Sequence, residues 1–410
     1  MSSLVIKCGV LISDGKVYED VTLGIKDKYF VDFVEEDKEI EWKEILDLSK
    51  YTILPGLIDA HLHFGPDVAG HKYARLFEDG NKKLIKAVVD AKNLLRAGFT
   101  SARDVGGERA LALRDCIDSG EIEGPRLICS GRGITTIGCA EVNRDYNLPV
   151  NIVDKYCDMI RIASGNEECR RIVREEYRRG VNLIKLFVNG EYLESNFSVS
   201  EIETVIEEAR RLGLPVAVHS NGGELLRCAV KAGCHTIEHG VFLEEKDCLL
   251  MKENGVIFVP TPAFPYIITN RGKDFGVPEE TIAPQKEILE QALESIRLAR
   301  EIGTEIATGS DYGIRAFNRH GTKNINSILL LIKAGFSPLE AITSATKIAS
   351  KALGLEDKIG TIVSGKYADL IAVPGDPLSN VEKLKDISLV IKEGEIVHNL
   401  LPEGIFKKAN

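Results

Sequence analysis

Residues 55–64, Pro-Gly-Leu-Ile-Asp-Ala-His-Leu-His-Phe, combine an apolar strand pattern with a His-x-His ending. Side chains alternate between the two faces of a strand, so His61 and His63 are expected to point the same way. Two imidazoles side by side at the end of a buried strand are poorly explained by packing and are typical of two ligands to one transition metal. The spacing therefore predicts a metal site, provided that other strands supply further ligands.

Four further segments with strand character carry groups that bind metals. Lys185 lies inside an apolar run, and the other three segments end in His219, His239 and Asp311. A charged lysine inside a buried strand is costly, whereas a neutral lysine can react with CO2 to give an anionic carbamate that bridges two metals. Each residue alone has a structural explanation, as a core histidine, a helix cap or a lysine that reaches solvent. Their coincidence at matching strand ends favours one shared metal site.

These ligands need a scaffold that brings the ends of several strands together. The middle of the chain alternates strand and helix patterns, and the expected strands are 53–64, 100–105, 126–130, 182–188, 215–220, 235–239, 256–260 and 305–311. Helices are expected at 82–97, 198–212, 281–302 and 338–353, the second opened by a Ser198–Glu201 capping box. This alternation predicts an α/β fold, a (β/α)8 TIM barrel, whose active site lies at the carboxyl ends of the strands. An open doubly wound sheet is the alternative, but it calls for a glycine-rich phosphate loop where His61-Leu62-His63 stands.

The two ends of the chain have a different pattern from the middle. Short strands are expected at 4–12, 17–25 and 30–34, with Asp14-Gly15 as a hairpin turn, and again at 360–362, 368–373 and 388–397. Their similar character predicts one small β-sandwich domain built from residues 1–55 and 356–410. Residues 56–355 would then form the barrel.

Composition restricts the class of protein. The chain has 410 residues, of which 44% are hydrophobic and 28% charged, and its net charge is −10. These values are typical of a globular protein, and the negative charge argues against nucleic acid as a partner. No apolar run is long enough to span a membrane, and the first residues lack a signal-peptide pattern. The nine cysteines include no Cys-x-x-Cys pair, which favours reduced thiols in the cytoplasm.

The motifs together resemble the amidohydrolase superfamily, and the resemblance covers nearly the whole chain. It is carried by Pro-Gly-x-Ile-Asp-x-His-x-His at 55–63, Lys185, His219, Ile-Glu-His-Gly at 237–240, and Gly-Ser-Asp at 309–311. Residues 365–371 resemble that superfamily's return into its β-sandwich. Residues 98–106, 237–240 and 319–321 are most similar to the branch of metal-dependent prolidases, Xaa-Arg carboxypeptidases and imidazolonepropionase-related hydrolases.

The resemblance implies two divalent metal ions, with Zn2+ as the default and manganese, cobalt or iron as alternatives. One ion would be held by His61, His63 and Asp311. The other would be held by His219 and His239, and a CO2-derived carbamate on Lys185 would bridge the two ions.

The resemblance also implies a mechanism. A hydroxide that bridges the metals would attack the amide carbonyl. Asp311 would orient this hydroxide, take its proton and pass the proton to the leaving nitrogen. Asn221 or His320 would help to polarise the carbonyl. By analogy with the branch, the chain would form a homo-oligomer.

Loops after the strands must form the pocket for a small-molecule substrate. Arg103 and Arg319 are candidates to hold a substrate carboxylate through paired hydrogen bonds, and His71 and Tyr192 lie on similar loops. The structural alternatives are an ion pair between Arg103 and the neighbouring Asp104, and a solvated Arg319.

Two departures from the branch affect specificity. Residues 135–141 read Thr-Thr-Ile-Gly-Cys-Ala-Glu where the branch often has Thr-Gly-Gly-His, and Asn221 stands where an aromatic residue or a histidine is frequent. Specificity carried over from a dipeptidase is therefore open at both positions.

The function expected from these residues is hydrolysis of amide bonds in dipeptides or N-acyl amino acids with a free carboxylate. The enzymatic alternatives are opening of cyclic amides, as in imidazolonepropionase-like or imidase-like enzymes, and hydrolysis of other small amides or carbamates. Hydrolytic deamination is disfavoured, because sites of that type usually hold one metal without a bridging lysine such as Lys185. A non-enzymatic scaffold is disfavoured as well, because all six candidate ligands are present.

Overall fold

Both ends of the chain supply strands to one sheet. The computed structural model describes residues 3–31, 44–64, 78–138, 149–189, 197–313 and 319–408. The strands of this sheet are β1 (Ser3–Ser13), β2 (Lys16–Lys26), β3 (Tyr29–Val31), β4 (Glu44–Pro55), β14 (Leu370–Pro374), β15 (Leu389–Lys392), β16 (Glu395–Asn399) and β17 (Phe406–Lys408). Their order is β16-β15-β14-β4-β1-β2-β3, with β17 paired to β4. We call it the terminal sheet; its pairings are antiparallel except for β1 with β4.

The predicted hairpin between β1 and β2 is confirmed. Ser13 pairs with Lys16, and the two residues between them, Asp14 and Gly15, have φ angles of 55° and 71°. Two consecutive positive φ angles are what a tight hairpin turn requires, and the Asp-Gly pair adopts them at low cost. One face of the terminal sheet buries a wholly apolar cluster that includes Ile6, Leu46, Leu48, Leu370 and Ile391.

The middle of the chain forms parallel strands. They are β5 (Leu57–Leu62), β6 (Phe99–Asp104), β7 (Arg126–Cys129), β8 (Gly133–Thr135), β9 (Ile160–Ile162), β10 (Ile184–Phe187), β11 (Val216–Ser220), β12 (Thr236–His239) and β13 (Ile257–Val259). They make two parallel sheets, ordered β5-β6-β7 and β13-β12-β11-β10-β8-β9. The short strands β8 and β9 were not expected, because three residues are too few to give a sequence pattern.

The predicted last strand, 305–311, is wrong as a regular strand. Only Ile306 forms a bridge, to Phe258 of β13. The segment nevertheless lies beside β5, because the N–H of Ala60 donates to the carbonyl of Thr308 over 2.9 Å. It is irregular because its N–H groups divide between partners: that of Thr308 donates to the carbonyl of Ser344 in a helix.

The predicted strand at 360–362 is also wrong, and Gly360 lies in the left-handed region with φ of 87°. The predicted run 388–397 is divided into β15 and β16 by a turn at Glu393 and Gly394, both of which have positive φ angles.

Helices lie between the parallel strands and follow them. They are α1 (Gly80–Arg96), α2 (Ala110–Asp118), α3 (Val150–Tyr156), α4 (Asn166–Arg178), α5 (Val199–Arg211), α6 (Gly223–Ala232), α7 (Glu245–Glu253), α8 (Ala263–Arg271), α9 (Glu279–Ile302), α10 (Asn326–Lys333), α11 (Pro338–Thr343) and α12 (Ala349–Ala352). The capping box predicted at the start of α5 is confirmed, with Ser198 and Glu201 capping each other. The helix expected at 338–353 is α11 and α12 joined by one π-helical turn, Ser344–Ile348. Among the described residues, none of the helices combines the length and the apolar character needed to cross a membrane.

Candidate metal centre

The two histidines of β5 lie at the end of a fully buried strand. His61 is 1% exposed and His63 9%, and their rings lie edge to face with centroids 5.4 Å apart. The segment 309–313 closes over them so tightly that a Cβ at Gly309 would lie 2.7 Å from the Cβ of His61. A Cβ at Gly313 would lie 2.8 Å from the Cβ of His63. Glycine at both positions therefore allows Asp311, which lies between them, to approach the histidine pair.

Asp311 completes a cluster with these two histidines. Its Oδ1 lies 3.2 Å from Nε2 of His63 and 3.5 Å from Nε2 of His61, and one ligand atom from each residue falls within 4.8 Å of the others. Burial would raise the pKa of Asp311, but hydrogen bonds with His61 and His63 outweigh it and hold this pKa well below its usual range. The carboxylate is therefore anionic at neutral pH and can bind a cation.

His219 and His239 lie against the same cluster. The ring of His239 is 4.8 Å from that of His61 and 4.3 Å from that of His219. Burial, with the nearby charge of Lys185, lowers the pKa of His219 to about 3. Burial next to His219 and His61 holds the pKa of His239 well below its usual value. Both imidazoles are thus neutral at pH 7, which is the form that binds metals.

Lys185 is the fifth strand-borne group at this end of the sheet. It lies in β10, opposite Ala217 of the neighbouring strand β11, and it is 1% exposed. Burial lowers the pKa of Lys185 to about 8, although the carboxylates of Glu238 and Asp311 act in the opposite direction. Within the described residues its Nζ has no hydrogen-bond partner. A buried amine without a hydrogen-bond partner is costly, so packing alone does not explain a lysine at this position.

Two of the cluster residues have unusual backbone conformations. His239 has φ of 71° and Asp311 has φ of 53°, both in the left-handed region that residues other than glycine rarely adopt. In a regular strand His239 would point away from the face that carries Glu238, but both side chains face His61. Strained conformations of this kind persist at functional sites, where the surrounding structure holds them in place.

The histidines of the cluster are oriented by their second ring nitrogens. Nδ1 of His61 lies 2.6 Å from Oε2 of Glu238, and Nδ1 of His63 lies 3.2 Å from the carbonyl of Gly106. Nδ1 of His239 lies 2.7 Å from the hydroxyl of Thr261. Each contact leaves Nε2 as the nitrogen for a metal, and contacts of this kind usually fix the ring and tautomer of a metal-binding histidine.

Glu238 is a site residue to which sequence reasoning gave no role. It is fully buried and accepts hydrogen bonds from His61, Arg103 and Thr236. Burial would raise the pKa of Glu238, but the Arg103 guanidinium and the hydrogen bond from His61 outweigh it and lower this pKa strongly. The available signal was the strand alternation Thr236-x-Glu238, which puts the carboxylate on one face of β12.

Asp59 ties the first and last segments of the centre together. Its Oδ1 accepts from the N–H groups of His61 and Ser310, at 3.2 and 3.1 Å, and its Oδ2 accepts from the Asn324 amide at 2.7 Å. Asp59 thus fixes the backbone that carries His61 and the backbone that leads to Asp311.

The predicted substrate contact of Arg103 is not supported. Arg103 is 1% exposed, its Nε donates to the carbonyl of Ala60 over 2.6 Å, and its Nη2 donates to Glu238 over 2.7 Å. The structural alternative, an ion pair with Asp104, is not seen either: Arg103 pairs with Glu238, while Asp104 accepts from the N–H groups of Phe64 and Gly106. Arg103 lies within β6, where its side chain faces the interior between the strands. A substrate contact would need Arg103 to lie on a loop after the strand.

His320 has a structural role in place of the predicted contact with the carbonyl of a substrate. Its Nε2 lies 2.9 Å from the carbonyl oxygen of His63, and its Nδ1 lies 3.3 Å from the amide nitrogen of Asn324. With both ring nitrogens held by the protein, His320 supports the backbone of His63.

The remaining predicted residues lie around the centre or outside the described residues. Asn221 directly follows β11, is 4% exposed, and donates its N–H to the side-chain oxygen of Asn189 over 3.0 Å. Arg319 is 47% exposed in its side chain and pairs with Asp90 over 3.0 Å. His71 and Tyr192 fall outside the described residues, so their role as substrate contacts stays a prediction.

The donor set fits divalent metal ions. Four imidazoles, a carboxylate of low pKa and a lysine of lowered pKa converge at the strand ends. Nζ of Lys185 and Nε2 of His219 are buried, and neither has a hydrogen-bond partner among the described residues. A bound cation would accept the lone pair of Nε2 of His219 and would bind Lys185 only in a form without the ammonium proton, whereas an apolar ligand would leave both nitrogens unsatisfied.

Comparisons with known proteins agree with this geometry. The model of the amidohydrolase family matches residues 52–397. Ochratoxinase of Aspergillus niger is 29% identical over 96% of this chain and 86% of its own length. Imidazolonepropionase of Shewanella oneidensis is 26% identical over 84% of each chain. The crystal structure of a Xaa-Pro dipeptidase with bound methionine in its active site is 31% identical, covers 96% of this chain and 99% of its own, and superposes with a TM-score of 0.84.

Amidohydrolases are generally metal-dependent, and His61, His63 and Asp311 form a cluster that could hold a metal ion. The family model spans most of the chain, and the hydrolases that it resembles align with nearly its full length. The chain therefore belongs to the amidohydrolase family and is an enzyme that hydrolyses carbon–nitrogen bonds in small amides.

Proposed function

We propose that the chain is a binuclear metallohydrolase that cleaves the amide bond of dipeptides or N-acyl amino acids with a free carboxylate. The observation that carries the proposal is the convergence of His61, His63 and Asp311 with two buried nitrogens that have no partner among the described residues, those of Lys185 and His219. Packing alone gives no reason to bury these groups together, because each is costly to desolvate.

The ligands would divide between two ions, most simply Zn2+. His61, His63 and Asp311 would hold the first ion, and His219 and His239 the second. Lys185 would join them as a carbamate. Support for the carbamate comes from the pKa of Lys185, lowered to about 8, because CO2 reacts with the neutral amine. The carbamate carbon comes from CO2, the amine loses one proton, and the product is an anion that suits two cations.

The chemistry that bound metals would supply is a water of lowered pKa and an electrophile for the carbonyl oxygen. The protein supplies the proton transfers. Asp311 is anionic and its Oδ2 lies 3.9 Å from Nδ1 of His239, on the side of its carboxylate opposite the contact with His63. This carboxylate would take a proton from the attacking water and deliver it to the leaving nitrogen. Asn221 would offer a hydrogen bond to the carbonyl oxygen.

We further propose that the two parallel sheets belong to one (β/α)8 TIM barrel, residues 56–355, beside a composite β-sandwich domain of residues 1–55 and 356–410. Support for closure comes from backbone bonds between the sheets. The N–H of Asn182, next to β10, donates to the carbonyl of Cys129 of β7 over 2.8 Å, and β5 and the segment after α9 are joined through Ala60 and Thr308. The apolar cluster of the terminal sheet supports a separate small domain.

The substrate class rests on relatives and on charge. The relative solved as a Xaa-Pro dipeptidase favours linear amides with a free carboxylate. Arg319 is half exposed and pairs with Asp90, and we propose that its guanidinium holds the substrate carboxylate. His71 and Tyr192 would add contacts to the substrate. Opening of a cyclic amide is the second candidate, favoured by the imidazolonepropionase relative. A cytoplasmic homo-oligomer without nucleic acid or membrane partners is proposed on composition and on the branch alone.

The test is hydrolysis of a library of dipeptides and N-acyl amino acids by protein supplied with Zn2+ and bicarbonate, measured as free amine released. Release confined to one class of C-terminal residue supports the proposal and defines the pocket. A parallel panel of cyclic imides and lactams, followed by loss of ring absorbance, tests the second candidate. Turnover of the cyclic panel alone would contradict the linear substrate class.

A further inference from the structure

Arg103 and Glu238 form an ion pair inside the sheet, out of contact with solvent. Arg103 is 1% exposed and Glu238 is 0% exposed, and Nη2 of the arginine lies 2.7 Å from Oε1 of the glutamate. Desolvation of two charges offsets most of their attraction, so a buried pair of this kind stabilises a fold no better than apolar residues of similar volume. Stability alone therefore does not account for the pair.

The orientation of Arg103 is fixed by three separate parts of the fold. Its Nε donates to the carbonyl of Ala60 in β5 over 2.6 Å. Its Nη1 donates to the hydroxyl of Thr236 in β12 over 3.1 Å and to the carbonyl of Ala352 at the end of α12 over 3.2 Å. A guanidinium is planar and its donors have fixed directions, so these bonds leave Nη2 one orientation, toward Glu238.

The two oxygens of Glu238 have different partners. Oε1 accepts from Nη2 of Arg103 and from the hydroxyl of Thr236. Oε2 accepts from Nδ1 of His61 over 2.6 Å. An ionised carboxylate only accepts hydrogen bonds, so Nδ1 of His61 must carry the ring proton. Nε2 is then the nitrogen left to bind a cation, and it faces Asp311, another candidate ligand, at 3.5 Å.

The second histidine of β5 is held differently. Nδ1 of His63 donates to the main-chain carbonyl of Gly106, at the longer distance of 3.2 Å. One histidine of the His-x-His pair is thus held by a neutral backbone group, and the other by a carboxylate that an arginine holds in place. Within this pair, His61 is therefore the candidate ligand whose tautomer depends on side chains that substitution can change.

We propose that Arg103 and Glu238 are positioning residues that fix the tautomer and ring plane of His61, and so set the affinity of the centre for a divalent cation. This inference rests on the proposed function, since it concerns the ligand nitrogen of a proposed metal centre. Arg103 acts through Glu238: it occupies Oε1, and Oε2 therefore faces His61. Neither residue contacts the substrate.

Glu238→Gln tests the pair with almost no change of shape. Glutamine has one acceptor oxygen, but the site has donors on both sides of it. If the oxygen faces Arg103 and Thr236, the amide NH2 faces His61 and drives the ring proton to Nε2, where it blocks metal binding. If the oxygen faces His61, the NH2 meets the donors of Arg103.

The probe is Co2+ alone, added to metal-free protein and measured by its visible absorption and by competition with a chelator. We expect Glu238→Gln to weaken Co2+ binding about 10- to 100-fold, the range typical of partners that orient metal-binding histidines, and to alter the spectrum. The matched control is Asp369→Asn, another buried carboxylate, which pairs with Arg126 over 2.6 Å in the terminal sheet region. The control is expected to keep the wild-type affinity and spectrum.

The double variant Arg103→Met with Glu238→Gln tests the order of action. If Arg103 acts through Glu238, the double variant binds Co2+ no more weakly than Glu238→Gln alone. Losses that multiply would contradict the proposed relay, and a Glu238→Gln protein with wild-type affinity and spectrum would overturn the inference.

A second measurement needs no variant in the pair. In metal-free wild-type protein labelled with 15N-histidine, long-range 1H–15N correlation reads which nitrogen of His61 carries the proton, with assignment from a His61→Gln sample. A proton on Nδ1 is expected, and an Nδ1 without a proton would overturn the inference even if the variants fail to fold. Failure of the wild type to bind Co2+ would instead refute the proposed metal centre, while the tautomer still tests Arg103 and Glu238.

Discussion

The candidate metal centre between the parallel strands and the apolar cluster of the terminal sheet bury side chains of different character. In the terminal sheet Ile6, Leu46 and Leu370 are fully buried among other apolar residues. Between the parallel strands, Arg103 and Lys185 are 1% exposed. Apolar burial stabilises by about 25 cal/mol per Å2, whereas burial of charge is costly. The comparison teaches that the apolar cluster of the terminal sheet contributes stability, whereas the buried charges of the candidate centre cost stability, as is expected of groups kept for chemistry.

Asp311→Asn is expected to have the largest effect, a loss of activity caused by a change at the candidate centre. The amide cannot take the proton of the attacking water, so kcat should fall about 10^2- to 10^4-fold, the range of general acid–base catalysis. Amine release in single-turnover and steady-state assays measures the loss, and metal analysis of the same samples shows whether the ions are retained. Activity near that of the wild type in a metal-loaded variant would remove Asp311 from the proton transfer.

Leu46→Ala should have the opposite profile. Leu46 is fully buried in the terminal sheet, and its truncation leaves a cavity, so we expect the free energy of unfolding to fall by about 2–5 kcal/mol. Urea denaturation measures the loss. At a temperature where the variant is folded, kcat/KM and metal content should equal those of the wild type. A large loss of activity in the folded variant would show that the two regions are not separate in function.

Lys185→Met should stabilise the metal-free protein. The pKa of Lys185 is lowered from 10.5 to about 8. Below pH 8 both the folded and the unfolded chain hold the proton, so burial of the charge lowers the free energy of unfolding by its full amount. Between pH 8 and 10.5 only the unfolded chain keeps it, and the cost disappears as the pH rises. At about 1.4 kcal/mol per pKa unit, the advantage of the variant should shrink by about 3 kcal/mol between pH 7 and pH 11.

Urea denaturation in CO2-free buffer across this pH range measures that advantage, with Leu46→Ala as a control whose difference from the wild type is independent of pH. An advantage of Lys185→Met that stays constant with pH would mean that Lys185 is not a buried, titrating amine. The variant should also lose activity, because no carbamate can form on methionine.

Ser198→Ala is expected to have the smallest effect. It serves as a control, because Ser198 lies outside both the candidate centre and the apolar cluster of the terminal sheet. Ser198 caps α5, and loss of such a cap costs about 1 kcal/mol. Thermal unfolding should show this loss with no change in kcat/KM or in metal content. A change in metal content would indicate that α5 shapes the centre.

The sequence predicts those parts of the structure that are determined by a few neighbouring residues. The His61-x-His63 spacing, the lysine within the apolar run around Lys185 and the capping box at Ser198 are local signals, and the structure brings the first two to one place. The Asp14-Gly15 hairpin follows from the φ angles that this pair tolerates.

The parts that sequence reasoning missed depend on long-range contacts. Glu238 and Arg103 are 135 positions apart in the chain, and no local pattern shows that they pair. The alternation rule also fails at His239 and Asp311, whose positive φ angles turn the side chains toward the centre. The segment before Asp311 is not a regular strand, because its N–H groups bond to β5 and to the π-helical turn instead of one neighbouring strand.

The most direct test of the metal centre is amine release from the best amide substrate before and after removal of divalent metal. Wild-type protein is assayed as prepared, after exhaustive chelation, and after Zn2+ is returned with bicarbonate. The structure predicts that chelation abolishes activity and that Zn2+ restores it in the wild type but not in Asp311→Asn. Full activity in protein that holds no metal would contradict the assignment of the histidine, lysine and aspartate cluster as the catalytic centre.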